Sequence, residues 1–387
     1  MARGMSGEYV VSRVGGEEVR AFVPFPLPPQ PPLDLSGSLN KKLEKAHLAL
    51  GRLDSITSLL PEPGIFLYTY VRHEAVMSSQ IEGTQSSLEQ LMLFELNAAP
   101  GVPLNDVAEV SNYVAAMTHG MQLLKNGLPL CNRVLREMHV KMLAGGRGSS
   151  KSPGEFRRSQ NWIGGIRPGK AHFVPPPPDR VEACMAEFER FLHADDLPFG
   201  TLVKAALAHV QFETIHPFLD GNGRIGRLLI SFILHQEGVL AEPLLYPSLY
   251  FKQNRDEYFR RLDQVRSRGE WKGWLNFFLE GIERTAHNAV NTAHKLESLF
   301  QRDRGSIRKA GGQASSTLRV FNQLCRRPLL TISEVSKQTG LSAPTVTKAV
   351  NALIDLGIVR ELTGKKRNRV FGYQGYITIL NQCATEL

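Results

Sequence analysis

Hydrophobic residues recur with helical spacing from about Leu39 to Leu299, which predicts a mainly helical bundle. Turn-forming residues interrupt this pattern at Pro100-Gly101, at Gly127, through 144–178 and from Pro243 to Pro247. Residues 227–234 are almost continuously apolar, which is typical of a helix that is buried on all sides. We therefore expect packed helices around a buried central helix, with an irregular region near the middle of the chain.

The two ends of the chain have other patterns. Residues 1–40 include a proline-rich run at 24–32, which predicts an extended arm rather than a folded unit. Residues 301–316 are polar and contain glycine, so they are predicted to be a linker. Beyond the linker, helical stretches are predicted at 318–325, 331–340 and 343–356, followed by β-type runs at 358–362 and 369–373.

This C-terminal order of elements resembles a winged helix-turn-helix. Its recognition helix would turn Val346, Val350, Leu353 and Ile354 inward and expose the polar residues between them. Residues 318–387 also supply +6 of the net charge of +9, from ten Lys or Arg and four Asp or Glu. The resemblance implies contacts to double-stranded DNA from Thr345, Lys348, Asn351, Lys365, Lys366 and Arg367. A protein-interaction or dimer module is the alternative, and a homodimer is left open.

Composition narrows the class of protein. The 387 residues are 42% hydrophobic and 21% charged, as in ordinary globular proteins, and the net charge of +9 favours polyanionic partners. The four cysteines are scattered without a C-x-x-C pair, which argues against zinc fingers and disulfide frameworks. The N-terminus lacks an apolar signal core, and no apolar run is long enough to span a bilayer. We expect a cytoplasmic protein without membrane contact.

The residues that could bind or react with a ligand are most concentrated at 216–227, HPFLDGNGRIGR. Gly221, Asn222 and Gly223 form a turn just before the buried helix, and the backbone N–H groups of such a turn make an anion-binding concavity. Arg224 and Arg227 are three positions apart, so we expect both guanidinium groups to point at that anion.

Two further residues of this stretch add reactivity. Asp220 offers a hard oxygen ligand at the rim, where Mg²⁺ would bridge phosphates. His216 is the side chain best suited to accept a proton near neutral pH. The combination predicts a site that binds a polyphosphate with its metal and activates a nucleophile beside it, although a glycine turn before a helix can also be only a turn.

HPFLDGNGRIGR resembles the motif of the Fic family, whose members transfer a phosphate-containing group, most often AMP from ATP, to a protein hydroxyl. The resemblance implies that His216 deprotonates the hydroxyl, that Asp220 holds Mg²⁺ and that Arg227 meets the γ-phosphate. The implied ATP-binding set is Glu82, His216, Gly221, Asn222, Gly223, Arg224, Ile225, Gly226, Arg227, Tyr258 and Phe259.

A second segment, far upstream, can be interpreted through the same resemblance. Ser78 and Glu82 are four positions apart in a helical pattern, hence on one face, and Gly83 can end that helix. By themselves these residues could be an ordinary exposed helix end. The segment is similar to the inhibitory helix of self-restrained Fic enzymes, which implies that Glu82 pairs with Arg227 and displaces the γ-phosphate.

Two more features stay open to two interpretations each. Residues 160–176 have apolar runs around a Gly/Pro-rich centre, as in a hairpin; the segment is either a surface loop or, as in Fic proteins, a flap that docks the target as an added β-strand. Tyr258 and Phe259 match a place where the family often has paired aromatics near adenine, with Phe259 where tyrosine is common. An aromatic pair at this spacing can equally be core.

We therefore predict a Fic helical bundle with a small β-hairpin flap and a C-terminal winged-helix domain. Its parts would be an N-terminal arm and helices (1–110), a catalytic domain (111–300), a linker (301–316) and the winged helix (317–387). The expected activity is auto-inhibited transfer of AMP from ATP, with Mg²⁺, to a Ser, Thr or Tyr hydroxyl of a target protein, itself included. The alternatives are transfer or removal of another phosphate-linked group, and a DNA-binding regulator whose Fic domain senses nucleotide.

Overall fold

The computed structural model describes residues 4–59, 63–96, 104–145, 148–311, 314–365 and 367–383. Its helices are α1 (Ser38–Leu59), α2 (Pro63–Ile81), α3 (Leu88–Glu95), α4 (Leu104–Lys125), α5 (Asn132–Met142), α6 (Pro178–Leu192), α7 (Thr201–Ile215), α8 (Asn222–Gln236), α9 (Ser248–Gln253), α10 (Arg255–Arg268), α11 (Trp271–Lys309), α12 (Ala314–Arg326), α13 (Ile332–Thr339), α14 (Ala343–Asp355) and α15 (Gln374–Cys383). The strands are β1 (Gly7–Val14), β2 (Glu17–Pro24), β3 (Leu329–Thr331), β4 (Val359–Glu361) and β5 (Val370–Tyr373). The predicted mainly helical fold is confirmed.

Helices α7 and α8 form the centre of the bundle. Every residue of α7 after Thr201 is buried, and α8 is buried from Arg224 to Leu234. Helices that are enclosed on all sides need apolar or internally paired side chains all round, and this is the pattern of residues 227–234. The loop that joins these two helices is the HPFLDGNGR segment, so the most enclosed part of the fold holds it.

The N-terminal arm is a folded hairpin, which corrects the prediction for residues 1–40. Strands β1 and β2 pair antiparallel from Gly7 opposite Pro24 to Val14 opposite Glu17, with Gly15 and Gly16 in the turn. The hairpin joins the rest of the fold through a hydrogen bond from the Phe22 N–H to the Val174 carbonyl, 2.9 Å long. Its signal was readable, because two alternating apolar runs flank a Gly-Gly pair.

The predicted domain boundaries fall inside helices. Helix α4 crosses the boundary at 110/111, and α11 continues through 300/301 to Lys309. Most of the predicted linker at 301–316 is therefore helical, because its polar residues occupy the solvent face of a helix whose other face is buried at Asp303 and Ile307. Only the short stretch before Ala314 separates α11 from α12.

The C-terminal part has the winged-helix arrangement, with a three-stranded sheet in the order β3-β5-β4. Gly340 ends α13 in the left-handed conformation and Ser342 caps α14, as the sequence indicates, whereas Thr331, placed inside the predicted helix, is the N-cap of α13. The sequence did not indicate β3 or α15. The inward placement of Val346, Val350 and Leu353 is confirmed, whereas that of Ile354 is wrong, because its side chain is 37% exposed.

This C-terminal part packs on the rest of the fold through buried polar contacts. The hydroxyls of Thr69 on α2 and Tyr376 on α15 lie 2.7 Å apart. The Tyr373 hydroxyl donates to Asp303 on α11 over 2.6 Å. Helix α2 thus contacts the winged-helix domain at Thr69 and reaches the central loop at its other end.

Two predicted absences concern the described residues. No disulfide joins any two of the four cysteines, all of which lie in the described ranges. Within the same ranges, no helix combines the length and the apolar character needed to cross a membrane.

Candidate active site

The loop between α7 and α8 is fixed by its own backbone geometry. His216 ends α7 in the left-handed region (φ 50°, ψ 59°), and Gly221 precedes α8 with φ 77°. The buried Asn222 side chain accepts from the Phe218 N–H and donates to the Phe218 carbonyl, both over 2.8 Å. Asn222 therefore closes the loop with its amide, and only its backbone N–H can serve an anion.

His139 on α5 supports the same loop, which the sequence did not indicate. Its Nδ1 accepts from the Gly154 N–H over 2.8 Å, so its Nε2 carries the proton and donates to the Asp220 carbonyl over 2.9 Å. Its ring stacks on Phe218 with 3.8 Å between centroids. Burial lowers the pKa of His139 to about 4, which keeps the ring neutral and this pattern intact at neutral pH.

His216 has the properties of a proton acceptor. The ring is half-buried, and its Nδ1 is buried without a hydrogen-bond partner among the described residues. Burial, then the charges of Arg157 and Arg266, lower the pKa of His216 to about 4, against the opposing effects of the Glu82 charge and the nearby Glu213 backbone. The imidazole is therefore neutral at pH 7 and can take a proton.

Asp220 stands at the rim of the loop with a side chain that is 37% exposed. Its Oδ1 accepts from the Gly221 N–H over 2.6 Å. No group of three or more His, Cys, Asp or Glu side chains in the described ranges could hold a metal ion. A single exposed carboxylate still suits Mg²⁺, which commonly binds one or two carboxylates together with substrate phosphates.

Arg224 and Arg227 have different protein partners, and the expectation that both point at one bound anion stays a prediction. The Arg224 guanidinium is buried and pairs with Glu109 on α4 over 2.5 Å and, more weakly, with Asp220 over 3.4 Å. The sequence did not indicate Glu109, because it lies 115 positions away. Arg224 thus orients Asp220 and ties α8 to α4.

Arg227 is held by the C-terminal end of α2. Its Nε donates to Ser78 Oγ over 2.8 Å, and its Nη2 donates to the Ser78 carbonyl over 3.0 Å and to Glu82 Oε1 over 2.7 Å. Helix α2 ends at Ile81 and Gly83 has φ 102°, as the sequence predicts. The structure therefore brings together Ser78, Glu82 and Arg227, the three residues that the resemblance connects.

The Glu82–Arg227 pair joins one enclosed and one accessible partner. The Arg227 side chain is 1% exposed and that of Glu82 is 37% exposed. Burial opposes the charge on Glu82, but Arg227, with help from Arg224 and His216, lowers its pKa. A Cβ on Gly223 would lie 2.2 Å from Glu82 Oε1, so the carboxylate reaches this position only because residue 223 is glycine.

The sequence also did not indicate two buried carboxylates near Arg227. Burial raises the pKa of Glu213 on α7 to about 7; Arg227 opposes this rise and Glu82 adds to it. The Oε1 atom of Glu213 has no hydrogen-bond partner within the described part of the chain. Burial likewise raises the pKa of Glu74 on α2 to about 7, although it accepts hydrogen bonds from Ser248 and Tyr113. Neither position differs from an ordinary helical glutamate in sequence.

The aromatic pair on α10 is split between core and surface. Tyr258 is 0% exposed and donates from its hydroxyl to His209 Nε2 over 2.8 Å, while His209 Nδ1 donates to the Gly226 carbonyl over 2.7 Å. The expected direct contact of Tyr258 with ATP is wrong for this conformation, because the residue is fully buried. Phe259 is 39% exposed and is stacked by Arg255 at 4.9 Å, so it remains a nucleotide contact by prediction only.

The predicted flap has less strand than expected. Within the described residues, 160–176 contain one isolated bridge, Ile163 to Phe173, and a short 3₁₀ helix at Pro168–Lys170. Its outer face is apolar at Ile166, which is 89% exposed. The inner face packs Phe173 against the Arg266 guanidinium at 4.1 Å.

In the winged-helix domain, Lys348 and Asn351 on α14 are exposed and Thr345 is half-buried. Lys365 and Arg367 in the wing loop are exposed, and Lys366 lies outside the described residues. These side chains occupy the solvent side of the domain, as a DNA-facing set would.

Three regions of the chain match models of known protein families. The model of the Fic/DOC family N-terminal region matches residues 40–122, that of the Fic/DOC family matches 129–234, and that of a winged helix-turn-helix DNA-binding domain matches 315–360. The first two matches end and begin on either side of the turn at Gly127.

Curated relatives share the central part of the chain. A protein named "Protein adenylyltransferase Fic" from Culex quinquefasciatus is 33% identical over 221 residues, which are 56% of this chain and 41% of that protein. The protein of the same name from Drosophila yakuba is 30% identical over 208 residues, 53% of this chain and 39% of its own length. The chain thus spans about two fifths of the length of these relatives.

Solved structures show the same fold. A Fic family protein from Desulfovibrio desulfuricans superimposes over 89% of this chain and 98% of its own, with a TM-score of 0.57 and 21% identity. A Fic domain containing signaling protein from Bacteroides thetaiotaomicron covers 65% of this chain and 97% of its own, with a TM-score of 0.54 and 21% identity. The matched regions and the relatives together show that this chain contains a Fic/DOC family region, over residues 40–122 and 129–234.

Proposed function

We propose that the chain is a protein adenylyltransferase, which transfers AMP from ATP to a Ser, Thr or Tyr hydroxyl of a target protein, itself included. One observation carries the proposal: a neutral His216 lies in the loop whose other end, Gly221 to Gly223, begins the buried helix α8. The names of the curated relatives support the same activity.

The residues divide the reaction between them. His216 accepts the proton of the target hydroxyl, whose oxygen forms a bond to the α-phosphorus of ATP. The bond from that phosphorus to the bridging oxygen of pyrophosphate breaks, which leaves an AMP ester on the target. The backbone N–H groups at the start of α8 would bind the negative phosphates. Asp220 would hold Mg²⁺, which neutralises phosphate charge when bound.

We further propose that Glu82 inhibits the enzyme in cis. Its carboxylate occupies the guanidinium of Arg227, which would otherwise be available to the γ-phosphate. A carboxylate and a phosphate oxygen compete for the same donor, so ATP binds productively only when Glu82 leaves. The partial exposure of Glu82 gives this carboxylate a way out of the site.

The activity is tested with ATP labelled at the α- or the γ-phosphate, using the Glu82→Gly variant. Label retained on protein from the α but not the γ position is expected, with loss of the signal in Glu82→Gly/His216→Ala. Retention of γ-label would indicate transfer of another phosphate-linked group. Binding of ATP with no transfer of either label would contradict the proposal and favour a nucleotide sensor.

Double-stranded DNA is the second partner that we propose. It is supported by the match to a winged helix-turn-helix DNA-binding model and by the exposed Lys348, Asn351, Lys365 and Arg367. A gel shift should weaken steeply with salt and should be reduced by Lys365→Ala/Arg367→Ala but not by Lys41→Ala, an exposed lysine on α1. An absence of any shift at low salt would contradict this partner.

A further inference from the structure

Arg157 is a buried arginine whose described partners are all backbone carbonyls. It is 2% exposed, and its Nε donates to the His216 carbonyl over 2.9 Å. Its Nη2 donates to the Ile215 carbonyl over 3.3 Å and to the Pro176 carbonyl over 2.6 Å. Its own backbone N–H donates to the Pro217 carbonyl over 2.8 Å. No carboxylate pairs with it among the described ion pairs, so its charge must be compensated in another way.

The end of α7 provides that compensation. The last carbonyls of a helix lack intrahelical partners and carry its partial negative charge, so a cation is stabilised there. Ile215 and His216 supply two such carbonyls to Arg157. Burial lowers the pKa of Arg157 to about 10, which still leaves the guanidinium charged at neutral pH.

The contacts of Arg157 fall on both sides of His216. A non-glycine residue in the left-handed region is strained and persists only where its surroundings hold it. Arg157 binds the carbonyls of Ile215, His216 and Pro217, which are the backbone that sets this conformation. The same guanidinium binds Pro176, at the end of the flap segment, so the flap and His216 share one anchor.

We propose that Arg157 is a positioning residue, which holds His216 in the orientation that accepts the target proton and couples that orientation to the flap. The proposal rests on the adenylyltransferase function proposed above. It assigns to Arg157 a part in the reaction without contact to ATP or target.

Because Arg157 is charged, its proposed role predicts a change in the pH dependence of the rate. The charged groups that face His216 are Arg157 from the loop after α5, Arg266 from α10 and Glu82 from the end of α2, besides the Glu213 carbonyl on its own helix. After burial, Arg157 has the largest effect and lowers the pKa of His216. Removal of this cation should therefore raise the pKa of His216. Because protonated His216 cannot act as a base, the rate should fall on acidification, and the pH at which it falls is called the acid limit. Without Arg157 this acid limit should lie at a higher pH.

The first experiment compares Arg157→Met, Arg157→Lys and the control Arg158→Met, each in the Glu82→Gly background. Arg158 is the exposed neighbour, so its variant makes the same chemical change outside the anchor. Arg157→Met should lower kcat by about 10- to 100-fold with the KM for ATP within about threefold, since positioning affects the chemical step. Arg157→Lys should keep part of the rate and the low acid limit, and Arg158→Met should change neither.

A folded Arg157→Met enzyme with an unchanged kcat and an unchanged acid limit would overturn the proposal, as would a loss confined to the KM for ATP. If Arg157→Met unfolds below the assay temperature, Arg157→Lys decides: a charge without the planar fork should lower kcat at unchanged KM for ATP, and full activity would overturn the proposal.

A second measurement does not depend on AMP transfer. The imidazole nitrogens of His216, assigned by comparison with His216→Ala, are followed by NMR against pH in the full chain with intact Glu82. The pKa should lie near 4 and should be higher in Arg157→Met but not in Arg158→Met. An unchanged titration would overturn the inference, whereas this rise without any AMP transfer in Glu82→Gly would refute only the proposed function.

Discussion

Glu82 Oε1 lies 2.7 Å from Arg227 Nη2, although 145 positions of the chain separate the two residues. Ser78 adds two hydrogen bonds to the same guanidinium from the same helix end. Ser78 would therefore still hold the Arg227 guanidinium if Glu82 left, as the proposed inhibition requires.

Replacement of Glu82 should therefore activate the enzyme. Glu82→Gly is expected to raise the rate of AMP transfer about tenfold or more, because loss of about 1.4 kcal/mol of competition corresponds to a tenfold change in occupancy. The rate is measured by α-label retained on protein at subsaturating ATP. Glu89→Gln, a carboxylate removed from the first turn of α3, should leave the rate unchanged. Equal rates for Glu82→Gly and the native chain would refute cis inhibition.

Glycine 226 is predicted to be required for packing. A Cβ there would lie 2.3 Å from the buried Glu213 Oε1 and 3.2 Å from Phe212, so Gly226→Ala should destabilise the fold by about 1–3 kcal/mol through overpacking. Gly51→Ala on α1 meets no described atom within 4 Å and should instead stabilise by up to about 1 kcal/mol through helix propensity. Urea unfolding measures both. A stabilising Gly226→Ala would contradict the close approach of Glu213.

Acid should destabilise the fold between about pH 6.5 and pH 4. Burial lowers the pKa of four histidines to about 3 or 4 from an ordinary value of 6.5: His73, His139, His209 and His216. In this window the unfolded chain takes up protons that the folded chain refuses, so stability is present above pH 6.5 and is lost as the pH falls. Glu74 and Glu213, whose pKa values are raised to about 7, act in the opposite sense but are outnumbered.

The slope of unfolding free energy against pH tests this balance. His209→Gln should flatten the slope between pH 6.5 and pH 5, because one histidine that binds a proton only in the unfolded chain is gone. This holds whatever the effect of the substitution on absolute stability. Stability that rises on acidification from pH 7 to pH 5 would show that the two glutamates dominate.

The contact between Thr69 and Tyr376 should couple the two domains energetically. Thr69→Val and Tyr376→Phe each leave one buried hydroxyl without this partner, at a cost of about 1–3 kcal/mol. The double variant should cost less than the sum, with a coupling energy of about 0.5–3 kcal/mol. Thr118→Val, which alters a hydroxyl inside α4, should add to Tyr376→Phe without coupling. Additive costs for Thr69 and Tyr376 would mean that the contact does not form.

The sequence was most informative where the chemistry is local. The end of α2 before Gly83, the glycine end of α13 and the Ser342 cap of α14 are each set by neighbours in the chain, and all are confirmed. The pairing of Glu82 with Arg227 was predicted only through the resemblance, since spacing alone cannot bring these residues together.

What could not be predicted depends on contacts between distant segments. His139, Glu109 and Arg157 act on the α7–α8 loop from other elements, and nothing in their own surroundings distinguishes them from surface residues. The pairing of Arg224 with Glu109 on α4 was not predicted for the same reason. The N-terminal hairpin is different, since its alternation and Gly-Gly turn were visible and were outweighed by the prolines that follow.

Helix α2 touches the C-terminal domain at Thr69 and holds Arg227 at Ser78, nine positions and about 13 Å further along its axis. A helix is stiff over so short a span. A ligand that binds the C-terminal domain more tightly when Glu82 is released than when it is paired with Arg227 would therefore favour that release. By thermodynamic reciprocity, a nucleotide that favours the released state would raise the affinity for that ligand by the same factor.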